Sequence, residues 1–149
     1  MLKSLCLKTH KKRAIVTLDC IKRALGPSLP LIPILQMTEK EYRKHFHENQ
    51  IGEWWVSFGA VQRNAAVALG NIGDPRAVLV LSSVLRRGRS FIVRGHAAWA
   101  LGKIGGQDAR LALKEAPSRE KNPAVRVEIE NALKSRSFQE FPRRLCARH

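Results

Sequence analysis

Val61-Gln62-Arg63-Asn64-Ala65-Ala66-Val67-Ala68-Leu69-Gly70-Asn71-Ile72-Gly73 decides the fold, because 32 residues later the chain reads Val93-Arg94-Gly95-His96-Ala97-Ala98-Trp99-Ala100-Leu101-Gly102-Lys103-Ile104-Gly105, identical at eight of thirteen positions. A third copy continues in phase: Val125, Arg126, Ala132 and Leu133 fall where Val93, Arg94, Ala100 and Leu101 place them, with Lys134 in place of the glycine. The intervening stretches repeat as well, Ala77, Leu79 and Leu81 aligning with Ala109, Leu111 and Leu113. Copies in one phase indicate stacked supersecondary units. Each unit reads as two helices. The first is rich in Ala and Leu, small enough to admit a close neighbour. Gly70, Gly73, Gly102 and Gly105 are expected to stop it with permissive or left-handed backbone. Asp74-Pro75 restarts the chain as N-cap and first helical residue, a role Gln107-Asp108 fills less well. A helix pair with one apolar face cannot bury it alone, so the units must stack. The expected fold is all-α, a short α-solenoid of HEAT-like helix pairs with a 32-residue period.

Working outward, the chain carries a net charge of +15 over 149 residues. A field of that size favours polyanionic partners. Its placement is uneven: Pro75–Gln107 holds six basic residues and no acid, Met1–Leu25 seven against Asp19, and Lys134–His149 five against Glu140. That is an electrostatic footprint for phosphate, with an anionic membrane surface or a merely solvated basic surface as the alternatives. Cys6, Cys20 and Cys146 are scattered without metal-ligand spacing, so no zinc or iron–sulfur site is read, and the odd count suits a reducing cytosol. No run approaches the roughly 18 apolar residues of a membrane span.

The segment Met1–Gly26 is basic and mildly amphipathic, without the serines or cleavage pattern of a transit peptide. Pro27, Pro30 and Pro33 read as an extended, polyproline-like linker. The expected organisation is therefore a basic segment and linker over 1–34, repeats over 35–134 and a basic tail over 135–149. Thr38 to Glu41 has the form of a capping box opening a helix that puts Tyr42 and Phe46 on one face. His45 and His47 are on opposite sides of that helix and do not suit a metal. Trp54-Trp55 and Phe58, between Gly52 and Gly59, read first as a plug for the end of the repeat core and second as a platform for nucleotide bases.

The run Arg63–Asn71 together with Val93–Gly105 closely resembles the C-terminal HEAT-like region of epoxyqueuosine reductase, with repeats of the PBS-lyase type, and Met37–Phe46 resembles that family's entry helix. The resemblance covers roughly Leu35–Leu133; the Arg-Asn opening and the Gly-His-Ala-Ala-Trp core are its more specific parts. It implies a place in tRNA queuosine biosynthesis, where the family reduces epoxyqueuosine in the anticodon using cobalamin and two 4Fe-4S clusters while its repeats help to hold the tRNA. The family's cluster cysteines and cobalamin domain precede the repeats, and nothing in Met1–Pro33 matches them. The expectation is thus a tRNA-binding module without cofactor or catalytic residue of its own, partnered by the anticodon region of tRNA and by a separate catalytic domain, in the cytoplasm and not in a membrane. A departure is Asn49–Gly59, where relatives tend to be basic and this chain has Glu53 and two tryptophans.

The candidate RNA contacts are Arg63, Arg94 and His96 near the starts of first helices, Arg86, Arg87 and Arg89 in the turn between units, and Lys103. For Arg94 a structural role competes, since Arg126 recurs in phase. Trp99 stands where the previous unit has Val67 and reads as core. The alternative function is a protein-interaction scaffold; arginines gathered on one face favour RNA, and arginines dispersed around the solenoid favour the scaffold.

Overall fold

The computed structural model describes residues 29–47 and 49–135, so the basic termini and the three cysteines lie outside the described residues. Seven α-helices and no strand occur among the described residues: α1 Leu31–Gln36, α2 Glu39–His45, α3 Phe58–Ile72, α4 Val78–Arg87, α5 Phe91–Ile104, α6 Gln107–Glu115 and α7 Pro123–Leu133. The first helices of the three units, α3, α5 and α7, pack side by side, and α4 and α6 form the second layer. The all-α solenoid expected from the 32-residue period is what the chain forms.

The repeated Ala and Leu positions are the core. Leu81, Leu101, Leu113 and Ile129 are fully buried, and α5, flanked by neighbours on both sides, also buries Val93, Ala97, Ala98 and Ala100. Truncating one such leucine to alanine costs about 2–5 kcal/mol, because lost transfer energy and a cavity add.

The glycines divide into two kinds, which corrects the expectation that all four end helices. Gly73 and Gly105 do so, at φ 72° and 73°, and Gly106 follows at φ 87°. Gly70 and Gly102 are instead the closest points of the helix seam. A Cβ on Gly70 would lie 2.9 Å from the Cα of Ala100, and one on Gly102 would lie 2.8 Å from the Cβ of Ala132. Gly95 faces Glu128 of α7 as Gly102 faces Ala132, so residues ascend together and the first helices run parallel. Their N-termini therefore share one edge of the solenoid with the C-termini of α4 and α6. Their C-terminal ends define the other edge.

The extended reading of the proline stretch fails over 31–36. Pro30 is the N-cap of α1 and Pro33 sits in its first turn, where a missing N–H costs nothing. Ile34 and Leu35 are buried against α3 and α4, and this burial selects the helix. The helix thus crosses the 34/35 position at which the linker was expected to end. The capping box of α2 forms as read, with Thr38 N–H donating to Glu41 at 2.8 Å and Glu41 N–H to the Thr38 hydroxyl at 3.3 Å. Those bonds hold the Glu41 carboxyl below its usual range. Tyr42, Phe46 and Phe58 stack into the entry end of the core, with the Tyr42 ring 5.0 and 4.8 Å from the other two.

Candidate nucleic-acid interface

Arg86 and Arg87 end α4, where positive charge complements the helix dipole, and Arg89 occupies the turn into α5. All three are exposed. Against this turn packs the next one, bringing Arg119 and Lys121 to the rim of the same cleft of about 250 Å³, together with Glu115. Neither Arg119 nor Lys121 was among the residues picked from sequence. The signal was present, because Arg87 plus 32 is Arg119 and Arg89 plus 32 is Lys121. Among the described residues none of these five cations is in an ion pair.

Arg94 forms the floor. Its Nε and Nη2 donate to both carboxylate oxygens of Glu120 at 2.7 and 2.8 Å, and Nη1 donates to the Gly88 and Arg89 carbonyls at 2.8 and 3.3 Å. The carboxylate also accepts from Asn122 N–H at 2.8 Å, and Arg126 Nε donates to the Glu120 carbonyl at 2.6 Å. The Arg94 hydrogen bonds hold the Glu120 carboxyl below its usual range against the opposing effect of burial. Arg94 is therefore a clamp between turns, its donors spent on the protein, and Arg126 reinforces it. Of the two roles the sequence leaves open for Arg94, the structural one is occupied here: it ties the turn at Gly88–Arg89 to Glu120 in the next.

The remaining candidates scatter. Arg63, in the second turn of α3, donates through Nε and Nη2 to Asn64 Oδ1 at 3.1 and 2.9 Å. His96 Nδ1 pairs with the Ile92 carbonyl at 2.8 Å, and the residue lines a mainly apolar groove of about 330 Å³ between α5 and α7 with Phe91, Ile92 and Trp99. Trp99 is half-buried, touching the position of Gly70, and Lys103 Nζ lies 5.6 Å above its ring. Lys103 is on the edge opposite Arg86, so the structure does not bring it to the cleft.

Trp54 and Trp55 overturn the reading of the aromatic stretch as a plug: they are 83% and 64% exposed, and Phe58 alone of the three packs against the core. No group of three or more His, Cys, Asp or Glu residues suited to a metal occurs among the described residues. No helix among them is long and apolar enough to cross a membrane.

A family model described as HEAT repeats matches residues 57–134. The chain belongs to the HEAT-repeat family. Within it, this HEAT-repeat chain is related to epoxyqueuosine reductases. It is 31% identical over 105 residues to that of Bacillus subtilis, covering 70% of this chain and 27% of the relative, and 32% identical over 103 residues to that of Bacillus cereus, covering 69% and 27%. A crystal structure of epoxyqueuosine reductase with a tRNA-Tyr epoxyqueuosine-modified tRNA stem loop matches with a TM-score of 0.63 at 32% identity, over 69% of this chain and 27% of that one. The HEAT-repeat chain thus spans about a quarter of the length of these relatives.

Proposed function

We propose that this chain is a tRNA-binding HEAT-repeat module that holds the anticodon stem-loop by its phosphates. The observation that carries the reading is the row of exposed, unpaired cations along one edge: Arg86, Arg87 and Arg89 from one turn, Arg119 and Lys121 from the next. A row of side chains on successive turns can follow a phosphate backbone without reading bases. The clustering of four arginines and a lysine on one edge favours this reading over a general scaffold. The related reductase with its tRNA stem loop supplies the ligand class. The reduction itself, its cofactors and a catalytic partner belong to the longer relatives, and the proposal for this chain is to hold the RNA for such a partner.

The test is fluorescence anisotropy of a labelled anticodon stem-loop across a salt series, with wild type and an Arg86→Ala/Arg87→Ala/Arg89→Ala variant. Released counterions make log affinity fall linearly with log salt, and each lost phosphate contact reduces the slope by about one. The expected result is a steep slope that drops by about three in the variant. Absence of binding at low salt, or identical slopes, would overturn the reading.

A further inference from the structure

The two exposed tryptophans stand in a revealing register. Subtracting 32 from Arg86 and Arg87 gives Trp54 and Trp55, so the pair occupies the first place in the row whose later places are Arg86-Arg87 and Ser118-Arg119. The loop carrying them leads into α3 as the cationic turns lead into α5 and α7, at the same edge of the solenoid.

This loop is built to hold its shape without using the indoles. The Arg43 guanidinium donates to the carbonyls of Gly52, Glu53 and Val56, and the Tyr42 hydroxyl donates to the Ile51 carbonyl at 2.6 Å. Asn49 Oδ1 accepts from Ile51 N–H at 3.0 Å. Gly52 is buried so closely against the Phe46 carbonyl that a Cβ there would sit 1.9 Å from its oxygen. With the backbone pinned from α2 and Phe58 packed against the core, the two indole rings are left mostly exposed.

Their rings lie 5.7 Å apart at 83° to each other. Two perpendicular faces make a corner that takes one flat ring on a face with its edge toward the other indole. A continuous stack of bases would need parallel rings. Glu53 beside them disfavours phosphate, so this end of the row is suited to stacking and the arginine end to charge.

We propose that Trp54 and Trp55 form a seat for one unstacked nucleotide base of an RNA loop, adjoining the phosphate track of Arg86, Arg87, Arg89, Arg119 and Lys121. This rests on the tRNA-binding reading and adds a preference for RNA with unpaired bases over plain duplex. Stacking of a base on an aromatic side chain is sequence-tolerant, so the seat recognises an extruded base rather than a particular one.

The experiment compares wild type, Trp54→Ala/Trp55→Ala and Trp54→Phe/Trp55→Phe for binding to an anticodon stem-loop and to a blunt two-strand duplex of the same stem. Thermal unfolding and sedimentation are followed for each protein. The expected result is that the alanine variant binds the stem-loop about tenfold or more weaker, binds the duplex as wild type does, unfolds at the wild-type temperature, and is rescued in large part by phenylalanine. Equal stem-loop affinity in wild type and alanine variant, with RNA binding intact, would overturn the seat and leave the tRNA reading standing. So would equal losses for both RNAs, or a wild-type dimer that the alanine variant abolishes. If wild type binds neither RNA, both readings fall together.

Discussion

The two edges of this solenoid are made by the same helices and carry arginine or lysine on both, yet among the described residues the row of five exposed cations without an ion pair stands on one of them. At the edge of the α3–α4 and α5–α6 turns, Arg76 Nη2 lies 2.7 Å from Asp74, Lys103 covers Trp99, and exposed Asp108 adds negative charge. At the opposite edge, one buried pair, Arg94 with Glu120, fixes two successive turns, and five further cations project without acidic partners. Net charge therefore says little about where a polyanion would sit. What matters is which charges the fold has already neutralised.

The largest effect is expected from breaking the clamp. Glu120 and Arg94 keep only 7% and 18% of their side-chain surface exposed, so Glu120→Ala leaves a part-buried cation without its carboxylate and should cost about 1–3 kcal/mol in chemical denaturation. The clamp also has a pH signature. Because the folded-state value of Glu120 is depressed, its contribution is complete above the ordinary carboxylate value of 4.5 and disappears as pH falls below that through the lower folded value. Wild type should thus lose stability on acidification more steeply than Glu120→Gln, and parallel pH profiles would remove the clamp from the account.

Next in size, Arg119→Ala/Lys121→Ala should weaken stem-loop binding and lower the salt slope by about two, with stability changed by no more than about 0.5 kcal/mol. An unchanged slope would confine the interface to the Arg86–Arg89 turn. On the opposite edge, Asp74→Ala removes the cap that accepts from Arg76 N–H at 2.9 Å and should cost about 1 kcal/mol of stability, with RNA affinity preserved. The smallest effect belongs to Arg76→Ala/Lys103→Ala, whose salt slope should match wild type. A fall of two would show that both edges carry RNA.

The fold was legible because a repeat states each helix two or three times over: Leu69 and Leu101, or Leu81 and Leu113, confirm one another as core. Less legible were features set by what the neighbouring helix does. Gly70 reads as a helix stop until Ala100 is seen against it, and Pro33 reads as linker until Ile34 and Leu35 are seen buried. Within the site, Arg86, Arg87 and Arg89 were found from their clustering. Arg119 and Lys121 were missed although the period points to them, because Glu120 and Glu115 nearby make the third turn look neutral. Trp54 and Trp55, beside Phe58, read first as a plug for the end of the core and only second as a platform for bases. Their exposure follows from Phe58 taking the place against the core and Arg43 closing the loop beneath them.

The most direct test of an RNA track along one edge is amide hydrogen exchange of the full chain with and without the anticodon stem-loop. The account predicts added protection in 86–90 and 118–122, with 73–77 and 103–107 unchanged. Protection confined to 73–77 and 103–107, or none at saturating RNA, would contradict it.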